Sequence, residues 1–311
     1  MTTKNSIEKY WLYPLFYFDC YQENVELLGN VQIKRVHNEF MAFLEKHNYI
    51  IPWSHPSHVK WMILFPNLPS VDIQDNKGKK VPALNRLHPE IITDDLKTSL
   101  RLCHQGDFSV GPVIAGNINN SVWEIGDTIF PPPISETAFW AYQPDPSIYY
   151  KFNKNDTNNV NKLMEYINIL RLNKNYSVIN IALERFNSAY NGEFENRLID
   201  QMIAFETLYL GDDKELGYKL ALRTAFLLGK NRVTIFKNMK KAYELRGKIV
   251  HGQKQLDWAE LAEIVDVTQE YLRQSIRKFL LLLTKRISMK EIRNKLDENI
   301  LSNGKTLAEI G

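Results

Sequence analysis

Two regimes of hydrophobic patterning divide the chain. Up to about residue 150, apolar residues come in short runs and alternations. Beyond about residue 160 they return every three or four positions and keep that period to the end. In the first regime, Tyr10 to Tyr21 is dense in aromatics (Tyr10, Trp11, Tyr13, Phe16, Tyr17, Phe18), and Pro14 interrupts it, which predicts a strand with a break. Val31 and Ile33 alternate with polar residues before Val36, Phe40, Phe43 and Leu44 take up a helical period. The run Lys60–Phe65, stopped by Pro66, predicts a short buried strand. Thr93-Asp94-Asp95 reads as the cap of a short helix carrying Leu96, Leu100 and Cys103 on one face. Val122 to Phe130 predicts a further strand, ended by Pro131-Pro132-Pro133.

The asparagine-rich segment Lys151–Asn159 marks the expected boundary between a domain at 1–150 and one at 151–311. After it, helices are predicted at Val160–Leu172, Ser177–Tyr190, Phe194–Leu210, Glu215–Leu228, Arg232–Val250 and Trp258–Ile287. Gly211-Asp212-Asp213 and Gly229-Lys230-Asn231 are turn signals, and Asp257 with Glu260 marks the start of the longest helix. Ser288-Met289-Lys290-Glu291 is a capping-box pattern that opens a last short helix. The expected fold class is α+β: an N-terminal mixed α/β region followed by an all-α bundle.

Two charges interrupt the apolar faces of that bundle. Glu206 shares a face with Ile199, Met202, Ile203 and Leu210, and Arg223 lies close to the face of Leu216, Leu220 and Leu227. A buried carboxylate without a partner is costly, so Glu206 is expected to pair with Arg223 or Arg246. Such a pair could serve only to fix helix register. Arg246 in turn falls on the face of Ile235, Met239, Ala242 and Tyr243, away from Lys237, Lys241 and Lys248. Those lysines read as a solvated stripe that could also attract a polyanion. His251, the only histidine after His104, stands five positions beyond Arg246. That is roughly 140° round an ideal helix, so the two would not meet along a straight one. They can converge if the helix ends near Val250 with Gly252 as its C-terminal cap, or across a dimer axis.

Composition narrows the classes of function. The chain has 311 residues, 44% hydrophobic and 24% charged, with a net charge of +3, too small to imply nucleic acid by itself. Cys20 and Cys103 have no close partner or metal-like spacing, which favours a reducing compartment. Met1–Asn5 opens no secretory signal pattern, and the apolar run Phe279–Leu283 is far short of the ~20 residues that span a bilayer. A cytoplasmic protein without a membrane segment is expected. There is no glycine-rich phosphate loop, no G-x-S-x-G and no dinucleotide fingerprint. His55-Pro56-Ser57-His58 lacks a nearby carboxylate or cysteine, and His37, His47, His88 and His104 stand isolated, so no metal or cofactor is expected. The N-terminal tyrosines and tryptophans read as packed core, with base or ligand stacking as the other reading.

Four separated blocks carry a family resemblance: Ile181–Tyr190, Leu198–Tyr209, Leu220–Ala225 and Tyr243–Gly252. In this order they resemble the Apea-like branch of the prokaryotic HEPN domains, over about Asn173 to Ile287. More weakly, Leu28–Ile33 and Ser99–Cys103 are similar to regions that precede such domains. The resemblance implies a HEPN-type helical bundle that forms a homodimer and brings the R-x(4–6)-H motifs of two protomers into one cleft. It implies metal-independent endoribonuclease activity, with Arg246 holding the scissile phosphate and His251 acting as general acid or base. Products would carry 2′,3′-cyclic phosphate and 5′-hydroxyl ends. Glu206, Arg223, Tyr243 and Lys248 would support that pair, and no cofactor would be needed. Expected partners are RNA (tRNA or mRNA) and an antitoxin or regulatory protein, in a toxin or anti-phage defence setting. Active members often carry a polar residue straight after the arginine, where this chain has Gly247, and some toxins carry a tyrosine where it has Gln253. The alternative is a non-catalytic HEPN dimerisation or binding module for RNA, nucleotide or a protein partner.

Overall fold

The computed structural model describes residues 8–36, 59–66, 72–74, 80–82, 89–106, 108–111, 114–119, 122–129, 149–171, 177–211, 216–229, 231–252 and 256–302. The helical period expected at Phe40–Leu44, the His55–His58 pair, the Pro131–Pro133 stop and Gln253 lie outside these residues. The chain divides into two compact units, Met1–Met164 and Glu165–Gly311.

In the first unit the strands are β1 (Glu8–Phe16), β2 (Phe18–Cys20), β3 (Asn24–Leu27), β4 (Val31–Arg35), β5 (Val59–Pro66), β6 (Asp72–Gln74), β7 (Lys80–Pro82), β8 (Ser109–Val110), β9 (Ile114–Asn119), β10 (Val122–Ile129) and β11 (Tyr150–Phe152). The main sheet is antiparallel in the order β10-β9-β1-β5-β4-β3, with β8 also on β1. Leu12, Leu15, Val31, Ile33, Met62 and Leu64 are wholly buried in it, as the alternation at Val31 and Ile33 and the apolar run of β5 require.

Pro14 does not break β1. It lies opposite Met62 of β5, where the other edge of β1 passes from β9 (Leu12 opposite Ile114) to β8 (Leu15 opposite Val110). Its carbonyl accepts the Gly111 N–H at 2.8 Å. A residue without an N–H is tolerated at such a gap in the ladder. The break falls instead at Tyr17, with φ 58°.

Helix α1 (Pro89–Cys103) begins four residues before the expected Thr93 cap, with proline in its first turn, where a missing N–H costs nothing. Thr93 and Asp95 are consequently buried inside the helix, while Leu96, Leu100 and Cys103 form the expected apolar face. The segment 151–159 is structured: β11 pairs in parallel with β2, and α2 (Asp156–Arg171) starts directly after. The division between the two units falls at Met164 and Glu165, within α2.

The second unit contains α3 (Ser177–Ser188), α4 (Phe194–Tyr209), α5 (Leu216–Leu228), α6 (Arg232–Val250), α7 (Trp258–Thr284) and α8 (Met289–Leu301). The long α7 packs against α4, and its Asp257 cap accepts the Ala259 and Glu260 N–H groups. Leu261, Val265, Leu272, Ile276 and Phe279 of α7 are buried, as are Leu198, Met202, Phe205 and Leu208 of α4. A polar seam crosses this contact: the Gln201 amide donates to the Val265 carbonyl at 3.0 Å and to Gln269 at 2.7 Å, and accepts the Thr268 hydroxyl at 2.5 Å. The Ser288–Glu291 capping box opens α8 as expected. No described helix is long and apolar enough to cross a membrane.

Candidate functional site

Helix α6 has the bounds its periodicity predicts, Arg232 to Val250. Ile235, Met239, Ala242 and Leu245 form its buried face. The helix stops because Gly252 adopts a left-handed conformation (φ 70°), which a Cβ would disfavour. The Gly252 N–H then reaches back to the Ile249 carbonyl and the His251 N–H to that of Gly247, both at 3.0 Å. This places His251 at the C-cap with an exposed side chain, next to Val250, which is 55% exposed.

One turn earlier, Arg246 points along the face of Met239 and Ala242 to the neighbouring α4. Its Nη2 lies 3.9 Å from Oε2 of Glu206, with the two side chains 30% and 26% exposed. This is the pairing expected for Glu206, with Arg246 as the partner. At that distance the contact is an ion pair without a hydrogen bond. Arg246 Nε is buried and has no hydrogen-bond partner among the described residues. The guanidinium is thus attracted to one carboxylate without being hydrogen-bonded to it. Glu206 occupies the rim of its helix face: Met202 and Leu210 are buried, while Ile199 and Ile203 are half-buried like Glu206 itself.

Tyr243 holds α6 against α5. Its ring lies over Gly217, where a Cβ would approach Cδ1 to 2.7 Å, so only glycine lets the two helices come this close there. Gly247, beside Arg246, faces open space on its Cβ side. Lys248 and Lys237 are exposed, whereas Lys241 pairs with Glu260 of α7 and leaves the expected stripe.

Arg223 takes no part in this group. Its Nε and Nη2 each donate to the Asp297 carboxylate of α8 at 2.8 Å, and its Nη1 donates to the Tyr209 carbonyl. Its side chain is 5% exposed. The residue is a clamp between α5, the end of α4 and α8. Of the residues singled out from sequence, Glu206 and Arg246 are therefore in contact, Tyr243 packs one turn before Arg246, and Arg223 stands apart. His251 makes no hydrogen bond or ion pair with Arg246 among the described residues.

No protein-family model, curated protein or solved structure matches the chain.

The first unit holds a group of side chains that sequence inspection passed over. His104 is not isolated: its Nε2 lies 2.9 Å from Oδ2 of Asp156, and its ring stacks on Tyr150 with centroids 4.3 Å apart. Cys103 Sγ lies 3.4 Å from the other Asp156 oxygen. Asp156 also accepts the Asn153 N–H at 2.6 Å, tying down the start of α2. The only local signal was the adjacency of Cys103 and His104; Asp156 is more than fifty residues further on. Among the described residues these three are the one group with metal-ligating side chains in mutual reach.

Proposed function

We propose that the chain is a metal-independent endoribonuclease of the HEPN type, acting as a homodimer in toxin or anti-phage defence. The observation that carries this reading is Arg246: a half-buried guanidinium aimed along an apolar face, held by a non-hydrogen-bonded ion pair, one turn before an exposed histidine at a helix end. An arginine held only by a 3.9 Å ion pair does little for stability, but its fork suits a phosphodiester. The resemblance of four sequence blocks to Apea-like HEPN domains supports the same reading.

In the proposed reaction Arg246 binds the scissile phosphate and stabilises the charge that builds on its oxygens. His251 removes the proton of the ribose 2′-hydroxyl, whose oxygen attacks phosphorus. The 5′-oxygen leaves and is protonated by a second acid, His251 of the other protomer being the candidate. The products are a 2′,3′-cyclic phosphate and a 5′-hydroxyl. The exposed His251 and Val250 at the end of α6 suit an approach by a second copy.

Purified protein is incubated with mixed tRNA and mRNA in EDTA, beside Arg246→Ala and His251→Ala. Wild type is expected to give cyclic-phosphate ends, and each variant to lose at least ~100-fold in rate, the lower range for general acid–base catalysis. Intact RNA in every sample, with candidate activators present, overturns the nuclease reading. The open, side-chain-free space at Gly247 favours a second reading, a non-catalytic module that binds RNA or nucleotide. That reading predicts binding without new RNA ends.

A further inference from the structure

The Cys103–His104–Asp156 group lies wholly in the first unit and is independent of the nuclease reading. Three elements assemble it. Helix α1 ends at Cys103, the chain turns through His104 to Gly106, and α2 opens at Asp156. The turn lies close against β11: Gly106 has φ 152°, and a Cβ there would fall 2.8 Å from the Tyr150 Cα. Tyr150 is itself fixed, stacked on Phe18 and donating its hydroxyl to the Leu100 carbonyl at 3.0 Å. The His104 ring is thereby held by a rigid neighbour, with its two nitrogens aimed in set directions.

Both nitrogens face acceptors. Nδ1 lies 2.9 Å from the Gln105 carbonyl oxygen, and Nε2 lies 2.9 Å from a carboxylate oxygen of Asp156. A carbonyl and a carboxylate only accept hydrogen bonds, so Nδ1 must carry a proton. At Nε2 the 2.9 Å separation is that of a shared proton; a zinc ion bound there would hold nitrogen and oxygen roughly 3.3 Å apart at tetrahedral angles, and so would replace that proton with a shift of a few tenths of an ångström. A histidine whose Nδ1–H is anchored to a backbone carbonyl, leaving Nε2 directed at the ligand, is the usual arrangement at metal centres. Two further observations favour a metal over a proton. The Cys103 sulfur is directed at the same carboxylate, and Cys103 and Asp156 are only 7% and 6% exposed. All three ligand atoms lie within 4.8 Å of one another. Zn–S of ~2.3 Å and Zn–N of ~2.0 Å at tetrahedral angles put sulfur and nitrogen roughly 3.5 Å apart, which fits that spread.

We propose that Cys103 Sγ, His104 Nε2 and a carboxylate oxygen of Asp156 bind a zinc ion that ties the end of α1 to the start of α2. Thiolate, imidazole and carboxylate together suit zinc, whereas magnesium and calcium prefer all-oxygen sets. Binding releases two protons to solvent, that of the Cys103 thiol and the one otherwise shared between His104 Nε2 and Asp156. Asp156 keeps the Asn153 N–H on a remaining lone pair, so the helix start is not given up. Cys20, a free half-buried thiol opposite Phe152 in the β2–β11 pair, is the nearest candidate for a fourth ligand by topology; water is the other.

The full chain is stripped with chelator, dialysed, and titrated with Zn²⁺ alone against a chromophoric chelator, then with Co²⁺ alone. One equivalent per chain, a near-ultraviolet thiolate-to-cobalt band and a zinc-dependent rise in melting temperature are expected. Cys103→Ser should abolish the band and weaken zinc binding by at least ~100-fold, beyond the range seen for second-shell changes. His104→Gln should weaken zinc binding equally, and it serves as the second variant should Cys103→Ser fold poorly. Cys20→Ser distinguishes thiol from water as fourth ligand: a blue-shifted, weaker cobalt band assigns the thiol, an unchanged one assigns water, both with zinc retained. A wild-type chain that takes up no equivalent of zinc overturns the proposal. So does zinc affinity that Cys103→Ser and His104→Gln leave unchanged. RNA cleavage in EDTA is scored separately, so failure of either proposal leaves the other standing.

Discussion

Arg223 and Arg246 both interrupt apolar helix faces, yet their surroundings assign them opposite fates on substitution. Arg223 is 5% exposed, makes a bidentate contact with Asp297 and covers the Tyr209 carbonyl. Arg223→Met leaves that carbonyl without its guanidinium donor, at a cost of ~1–3 kcal/mol, and strips the carboxylate of two charge-assisted bonds. Loss of one partner from a fully buried pair costs ~3–5 kcal/mol. Asp297 is 49% exposed and can rehydrate, so the cost falls at or just below the lower end of that range, about 2–3 kcal/mol. Arg246→Met removes only a 3.9 Å ion pair between partly wet side chains, about 0–1 kcal/mol. It also removes a buried Nε that has no hydrogen-bond partner among the described residues, which offsets some or all of that loss.

The measurement is urea unfolding of both variants followed by far-ultraviolet circular dichroism, which mostly reports the helical unit, with RNA cleavage or binding assayed in parallel. Arg223→Met should lower stability by several times the effect of Arg246→Met. Cleavage should fall with Arg246→Met while the folded baseline and midpoint stay close to wild type. A double-mutant cycle between Glu206 and Arg246 should give a coupling below about 1 kcal/mol, and one between Glu206 and Arg223 a coupling near zero. An Arg246→Met chain as unstable as Arg223→Met would refute the reasoning, because Arg246 would then be a second structural clamp.

Gly247→Ala meets open space in a helical position and should stabilise the protein by about 0.5–1 kcal/mol in thermal or urea melts, and Gly247→Ser should raise RNA cleavage if a polar side chain next to Arg246 assists the chemistry. Gly217→Ala drives a methyl into the Tyr243 ring and should cost about 1–3 kcal/mol while lowering RNA cleavage or binding; wild-type stability would show that this contact does not set the position of α6. Burial pushes the Tyr209 phenol far above its usual range, with the Ser275 hydroxyl at 2.6 Å opposing this only in part. The unfolded chain therefore loses this proton near pH ~10 while the folded one keeps it, and stability should fall by about 1.4 kcal/mol per pH unit above that point. Tyr209→Phe should remove that share of the alkaline slope, as read from urea midpoints at increasing pH.

What the sequence made legible, and what it hid, separates by range of interaction. The ends of α6 were readable because the apolar period stops at Val250 and Gly252 follows, and the α8 capping box because Ser288 and Glu291 act on each other three residues apart. Thr93 misled for a related reason: it has the chemistry of a cap, but Pro89 had already opened the helix and burial of Thr93 followed from packing. Pro14 misled because its tolerance depends on β8 and β9 changing places beside it, which no window around residue 14 contains. The apolar faces of α4 and α6 did indicate that Glu206 and Arg246 needed partners. They could not decide between Arg223 and Arg246, because the choice depends on Asp297 of α8 lying nearer to Arg223.

The same limit applies with more force to charged and metal-ligating side chains than to apolar ones. Burial is satisfied by any apolar neighbour, so a face pattern predicts it without naming the neighbour. An arginine or a histidine is decided by which acceptor the fold brings within about 3 Å. Arg223 meets a bidentate carboxylate and becomes a clamp; Arg246 meets a carboxylate 3.9 Å away that it does not hydrogen-bond. His251 ends a helix in solvent, whereas His104 is pinned on Tyr150 between two acceptors. Each pair looks alike along the chain. The differences arise from α8 reaching Arg223 and α2 reaching His104, so the two proposals here rest on topology acting on a few polar atoms, and they can be refuted one atom at a time.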